Sequence, residues 1–451
     1  MKDRRLGMCS GVGMVVANMI GAGVFISTGY MAQDLNPKQI LAAWLIGTLF
    51  ALAGAKAYSG IAQLVPQSGG EYRFLSTLVH PALGYLAGWA SLLLGFSAPI
   101  ALDAVAAGAF ARTLHPGVNP VVFAALMIAV LTAVHAVGLR FSLASQNALV
   151  ALKLILVVGF IVAGLIGGSN SWPAWTPTTP SEGFPLSPFM RNLFYVAFAF
   201  SGWNAAVYAA SEFKDPKRDV PRALVLGCVI VGVLYLFVNW VFVANLTPEQ
   251  IAGGFNYNMK NAVLKDEPSL ITLGHLIMKH ILGEEGAACM SVLAIIAFVS
   301  AVSAMTFLGP RVYAAMARDG FLPAALRGKA GKPPVGAVVL QGVIALFLVF
   351  VYRLQEVLNN VGAILTLFSA LTVFSIFWVA FRRKEYPRPS ASVIAAACCY
   401  LALAGVMLYF GFTESWTLCL WVGACILASL GGYFLTSKNK GSENKNHLGG
   451  L

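Results

Sequence analysis

Charge is what this 451-residue chain has least of: Asp, Glu, Lys and Arg make up 11% of it, against 58% hydrophobic residues and a mean hydropathy of +0.77. So few ionisable groups cannot solvate a soluble protein of this size, which excludes a cytosolic or secreted globular enzyme and identifies an integral membrane protein. Cysteine is sparse and unpatterned. The seven, including adjacent Cys398 and Cys399, show no CxxC spacing and no Cys/His cluster, so they read as small apolar core residues and no metal site is expected. The six histidines are scattered, and there is no H-E-x-x-H, no G-x-x-x-x-G-K-[ST] and no G-x-S-x-G. An enzyme is therefore not expected, nor a cofactor, and without a nucleotide cassette any transport must draw on gradients. Acidic residues are outnumbered, 18 against 30 basic ones, for a net charge of +12. No basic stripe is interleaved with exposed aromatics, so the charge answers acidic lipid headgroups of the bilayer and not nucleic acid.

What is present is long apolar runs. Most are about 20 residues or more, enough to cross a hydrocarbon core of about 30 Å. Twelve spans are predicted, beginning near residues 8, 39, 82, 118, 143, 188, 221, 286, 334, 357, 391 and 415. Most Lys and Arg residues then fall on one side: Lys2, Arg4, Arg5, loops 214–222 and 311–332, Arg382-Arg383-Lys384 and the tail after Lys438. That side is the cytoplasm, which places both termini inside a plasma (inner) membrane. Arg4 and Arg5 before an apolar run resemble a secretory signal, but Asn18 and the glycines break the run, which merges into a full span, so it is expected to be retained. The joint 245–285 is expected outside, with a short helix over 270–281, and the Pro- and Trp-rich loop 171–188 is expected to be rigid and interfacial. One transmembrane domain over 1–436 is expected, with repeats at 8–168 and 188–382, extra helices at 391–436 and a disordered tail at 437–451. Five spans is an odd number, so a second copy of the first five must insert upside down, as in many secondary transporters.

Two breaks stand at corresponding places in the halves: Gly21-Ala22-Gly23 and Ser201-Gly202-Trp203-Asn204. A helix unwinds at membrane depth only where protein, water or a ligand satisfies its backbone groups, so paired breaks point to a transporter's binding site. Past the first break, free N–H groups and the positive end of a helix dipole make a site for a carboxylate. Lys153 lies mid-span, where an ammonium costs roughly 2.5 to 3.5 kcal/mol, so it is expected to face the bundle interior and bond to carbonyls or water. Asp103 in span three is expected toward the outer side, with three roles open: helix pairing, attraction of a cationic substrate side chain, or proton coupling. Lys56, nearer the cytoplasmic end of span two, is expected to snorkel.

The breaks, read with their neighbours, resemble the amino acid, polyamine and organocation transporter superfamily, and its L-type members most. The stretches that carry the resemblance are Asn18-Met19-Ile20-Gly21-Ala22-Gly23-Val24-Phe25, Pro66-Gln67-Ser68-Gly69-Gly70-Glu71-Tyr72, Lys153-Leu154, Phe198-Ala199-Phe200-Ser201-Gly202-Trp203-Asn204, 212–222 and 311–323, in order, over about residues 5–390. The resemblance implies an all-α fold of LeuT type, with ten core helices in a five-plus-five inverted repeat, helices one and six broken, two further helices, and alternating access. It implies a substrate carboxylate at the amides of Ala22 and Gly23, an ammonium at the carbonyls of Met19, Phe198 and Ser201, and Ile20, Gly21 and Gly202 shaping the breaks. Phe198 stands where the family carries an aromatic gate, with Phe200 and Trp203 as weaker alternatives, and Asn204 matches the Asn of the L-type Gly-Trp-Asn motif. Acid-driven arginine exchangers carry a Glu there, so the neutral amide favours neutral substrates. A Lys at the place of Lys153 substitutes for sodium in sodium-independent relatives, and proton uptake by it is a further role. Gly60 stands where many relatives carry Glu, which removes a local salt link. Animal relatives join an accessory glycoprotein through a cysteine between spans three and four, but loop 115–119 reads His-Pro-Gly-Val-Asn, so no disulfide-linked subunit is expected and either a monomer or a weak homodimer fits. The implied activity is sodium-independent exchange or proton symport of amino acids, neutral L-amino acids foremost. Cationic amino acids or polyamines are the alternative, and a transporter-like nutrient sensor is less favoured.

Overall fold

The computed structural model describes residues 6–137, 139–171, 184–247, 250, 272–329, 332–351, 354–414, 416, 419–420, 422–424, 426–427, 429–434 and 436. Among these the chain is helical apart from turns and one isolated backbone bridge, Leu6 to Phe213. Nine helical stretches among the described residues are long and apolar enough to cross a membrane, and shorter apolar helices lie at Val335–Phe350 and Val422–Phe434. The chain is a multi-pass membrane protein. The interior of loop 171–188, most of the joint 245–285 and the tail 437–451 lie outside the described residues.

The first span is two helices, α1 (Met8–Met19) and α2 (Ala22–Met31). Between them Ile20 is extended at φ −79°, ψ 91°, and Gly21 at φ −133°, ψ −152°, so the helical ladder stops and restarts. α3 (Pro37–Leu64) starts on a reciprocal cap: Asn36 and Gln39 each accept the other's backbone N–H at 3.0 Å, with Pro37 at the first helical position. α4 (Gly70–Leu78) is a short helix between spans.

The third span runs from α5 (Pro81–Ala90) through a π-helical turn at Ser91–Ser97 into α6 (Ala98–Leu114). Pro99 lacks the N–H that α-helical geometry would aim at the carbonyl of Gly95, and the ladder widens just ahead of it. α7 (Pro120–Val137) and α8 (Leu139–Gly167) follow.

In the second half α9 (Leu186–Ala199) ends in turns over 200–204, and a single turn, α10 (Ala205–Tyr208), follows. α11 (Pro216–Asn245) is capped by Asp215, which accepts from the Arg218 N–H at 3.3 Å. α12 (Leu273–Arg318) is two helices joined at Gly283, whose φ of 67° is not helical, so the described part of the short helix expected over 270–281 is the segment leading into the longer one. α13 (Val335–Val351), α14 (Leu354–Arg382) and α15 (Ala391–Glu414) complete the described bundle. α1 packs on α11 and α12, α2 on α9 and α12, and α3 on α11, so the two broken segments pack against each other and against long helices.

Candidate functional site

The two breaks face one cavity. Met19, Gly21, Ala22 and Gly23 line it from the first, and Phe198, Ser201, Gly202, Trp203 and Asn204 from the second. Asp103 and the π-turn residues Ser91, Gly95 and Phe96 line it from the third span. Gly23 permits the approach of the two: a Cβ there would lie 2.5 Å from the Cα of Ala199. Gly202 adopts φ +101°, a left-handed conformation that a side chain disfavours, and a Cβ on it would also strike Asn18.

The backbone ends exposed by the first break are met by charges of complementary sign. Lys153, fully buried on α8, donates its ammonium to the carbonyl of Ala17 at 2.9 Å and to that of Ile20, at the negative end of α1. Asp103, buried on α6, accepts from the Ala22 N–H at 3.0 Å through Oδ1, at the positive end of α2. Tyr235 of α11 ties the breaks to each other, its hydroxyl donating to Met19 O at 2.6 Å and sharing 2.9 Å with Ala199 O. The Met19 carbonyl also accepts from the Gly21 N–H at 3.0 Å, and the Phe198 carbonyl from the Ser201 N–H at 2.9 Å.

Of the residues singled out in the sequence, Ile20, Phe200 and Lys153 are not on the cavity wall among the described residues. Ile20 and Lys153 stand behind it, joined to each other. Phe200 packs between Trp44 and Tyr235, with ring centroids 6.1 and 4.9 Å away. Asp103 sits at the break itself, a placement that required the fold to bring α6 against α2. Lys56 is exposed on its helix, and Gly60 lies against Val393, where its missing Cβ leaves room for that side chain.

Glu71, within the Gly-Gly-Glu-Tyr stretch, is a site residue with no local signal of its own in the sequence. It is buried on α4 and lines the cavity. It accepts from Tyr58 OH at 3.0 Å through Oε1, from Tyr208 OH at 2.7 Å through Oε2, and from the Asn204 amide, which also donates to Tyr208 OH at 3.0 Å. Asn204 is thereby held by protein on its amide side. Asn18 lines the cavity too, and its Oδ1 is buried with no partner among the described residues, leaving an acceptor for a bound group.

Burial raises the Glu71 carboxyl above its usual range, and the donors from Tyr208, Tyr58 and Asn204 offset part of that rise. A raised acid holds its proton more tightly in the fold, so its contribution to stability is complete below the unfolded value of about 4.3 and is lost as pH rises through the folded value. Glu71→Gln resembles the neutral acid in shape and in presenting a donor on one side, and is expected to stay within about 1 kcal/mol of the wild type at low pH while removing this pH dependence. Melting curves of both proteins across pH check this. Parallel curves would contradict it.

A second set of contacts joins segments that are far apart in the chain. Arg311 of α12 pairs in a fork with Glu212, Nε to Oε1 at 2.6 Å and Nη2 to Oε2 at 3.0 Å. Leu6 bridges 212–214 by backbone bonds of 3.2 and 2.9 Å, and Ser68 and Ser211 exchange bonds of 2.9 Å. Tyr72 donates to Asp319 at 2.5 Å, and Arg73 lies 3.0 Å from the same carboxylate. No group of three His, Cys, Asp or Glu residues that could hold a metal is found among the described residues.

Comparison with known proteins decides the family. The amino acid permease profile matches residues 6–430, both breaks included. The chain belongs to the amino acid permease family. It is 25% identical over 403 residues to the mouse b(0,+)-type amino acid transporter 1, covering 86% of this chain and 78% of that protein. It is 24% identical over 449 residues to the human large neutral amino acids transporter small subunit 2, covering 96% and 80%. Mouse Asc-type amino acid transporter 1 is 24% identical over 436 residues, covering 92% and 78%. The resemblance drawn from the breaks and their flanking motifs is thus met by similarity along nearly the whole length.

Proposed function

We propose that this permease is a sodium-independent secondary transporter of amino acids, an exchanger or proton symporter for which neutral L-amino acids are the main substrates. The observation that carries the reading is that the two helix breaks, far apart in sequence, open on one cavity. An α-amino acid carries an anion and a cation on neighbouring atoms, and the breaks supply a helix N-terminus for the first and backbone carbonyls for the second. The Ala22 and Gly23 amides take the carboxylate and the Met19, Phe198 and Ser201 stretch receives the ammonium. Phe198, buried on the cavity wall, serves as the gate. The Lys153 ammonium holds the end of α1 where a sodium ion would otherwise be coordinated, which frees transport from sodium.

The architecture proposed with this is twelve spans in an inverted five-plus-five repeat over 8–168 and 188–382, plus two helices, with cytoplasmic termini in a plasma (inner) membrane. The Leu6, Glu212 and Arg311 contacts then form the cytoplasmic closure, which opens when the bundle carrying α1 rocks. Arg311→Ala leaves Glu212 without its fork and is expected to lower stability by roughly 2 kcal/mol, since Glu212 keeps partial access to solvent. Labelling of Ser68→Cys by a membrane-impermeant maleimide from the cytoplasmic side should rise in that background. Unchanged labelling would contradict the closure. Cationic amino acids or polyamines are the second reading, favoured by Asp103 on the cavity wall.

Uptake of labelled neutral, cationic and acidic L-amino acids into liposomes, with and without sodium, internal amino acid and a pH gradient, tests the reading. Neutral uptake that ignores sodium is expected. Internal substrate or a pH gradient as the requirement separates exchange from symport, and strict sodium dependence would overturn the account.

A further inference from the structure

His135 is the one ionisable side chain of α7, and it is buried outside the lining of the substrate cavity. A histidine among apolar helices costs more to bury than a leucine or phenylalanine filling the same space, so its partners carry information. Ser303 of α12 donates to Gln146 Oε1 of α8 at 2.7 Å, which leaves its oxygen to accept from His135 Nε2 at 2.8 Å. Nε2 therefore carries the hydrogen of the neutral ring, and a further proton goes to Nδ1. Gln146 Nε2 ends this chain buried, with no partner among the described residues. Three helices joined by hydrogen bonds that finish on an unmatched donor are braced less well than by apolar packing. The chain suits a group that changes charge.

Ser303, Phe307 and Arg311 follow at four-residue steps along α12, so they share one face. The Phe307 ring meets His135 on that face, with ring centroids 6.1 Å apart, and the Arg311 guanidinium lies 3.6 Å over the same ring while donating to the Phe307 carbonyl. Arg311 is also the cation of the fork with Glu212. A proton on His135 thus places a second positive charge against one aromatic ring, with Arg311 as the charge that acts on it. The other elements packed on α7 do little to offset it. α13 is uncharged over Val335–Val351. α6 meets the opposite end of α7, where Gly108 abuts Pro120; its Asp103 is bonded to the Ala22 N–H and its Arg112 lies one turn past Gly108. α8 brings neutral Gln146 and, two turns on, Lys153, which donates to Ala17 and Ile20. Repulsion between His135 and Arg311 is then relieved by moving Arg311 off the fork.

We propose that His135 is a proton-binding site that governs the Arg311–Glu212 fork: the neutral ring leaves the fork closed, and a proton on Nδ1 drives Arg311 from Glu212. Opening and proton uptake are then linked in both directions, so His135 holds its proton more tightly when the fork is open than when it is closed. The inference rests on the reading of the Leu6, Glu212 and Arg311 contacts as a closure of the transport cycle.

The purified full chain carrying Ser68→Cys tests it, since Ser68 exchanges bonds with Ser211, next to Glu212. Its maleimide labelling, read at residue 68 by mass spectrometry, is followed from about pH 8 to about pH 4 and divided at each pH by the rate in His135→Gln, which cancels the ionisation of the thiol itself. Gln keeps an N–H for Ser303 and takes up no proton. The ratio is expected to rise by about fivefold or more as pH falls, and to stay flat when Arg311→Ala is present in both chains. A His135 that only braced α7 against α12 would give a ratio that differs from one yet does not move with pH, and that result overturns the inference. A pH-dependent ratio that survives Arg311→Ala overturns it too. Should His135→Gln fail to fold, Arg311→Ala replaces it as the reference, and the Ser68→Cys chain must approach its labelling rate at low pH and fall below it at high pH. An Arg311→Ala that labels no faster than its parent at any pH removes the closure and the inference together, whereas a closure that Arg311→Ala opens and acid does not removes the inference alone.

Discussion

Lys153→Met is expected to reduce amino acid uptake by on the order of a hundredfold while the protein still folds. The ammonium donates to the carbonyls of Ala17 and Ile20, and Met keeps most of the stem but offers no donor. Two carbonyls at the end of α1 then lie buried without their partner, at about 1–3 kcal/mol for each unsatisfied group. A loss of about 3 kcal/mol at the transport barrier corresponds to roughly a hundredfold in rate. Lys153→Ala goes further, since it opens space between α8 and the break for a cation with water. Sodium is expected to restore part of the uptake in that variant and to do nothing for the wild type. Uptake measured in parallel with the melting temperature separates loss of function from loss of fold. Full activity in Lys153→Met, or equal indifference to sodium in Lys153→Ala and the wild type, would remove Lys153 from the account.

Gly23→Ala is expected to cost nearly as much by a different route. The added methyl would meet the Cα of Ala199 at 2.5 Å and its Cβ at 2.8 Å, and backbone cannot move aside as a flexible side chain can. The start of α2 must retreat from the end of α9, at an overpacking cost of about 1–3 kcal/mol. That retreat widens the gap across which a substrate is held by both breaks. The predicted signature is a higher KM with uptake at low substrate reduced about tenfold or more. Gly13→Ala in α1 is the control: nothing lies within 4 Å of its Cβ position, and Ala is the better helix former. Comparable loss in both variants would show sensitivity of the first span in general and not of the contact between the breaks.

The breaks were legible because glycine inside an apolar run is a local signal, and because two such runs occupy corresponding places in the halves. Lys153 was legible for a similar reason: a charge at mid-span has few ways to be satisfied, and carbonyls of an interrupted helix are one of them. The place of Asp103 was not, since its bond to Ala22 joins residues 81 positions apart and depends on how α6 meets α2. Glu71 was hidden in the same way, drawing its partners from α3, the second break and α10. Phe200 and Phe198 were not told apart by local pattern: residues two apart on a helix point about 200° apart, and it is the packing of the second break that gives the cavity wall to Phe198. The π-turn at Ser91–Ser97 had a partial signal in Pro99, but a proline in an apolar run usually reads as a kink.

The central claim is that the two breaks form a single amino acid site. Selenomethionine supplied as a free ligand to crystals of the protein tests it most directly, since selenium can be located by anomalous scattering against the protein's own sulfur atoms. The account predicts one selenium peak in the cavity between the start of α2 and residues 201–204, with Asp103 turned off the Ala22 amide. Selenium bound reproducibly elsewhere, with this cavity empty and Asp103 still on Ala22, would contradict it.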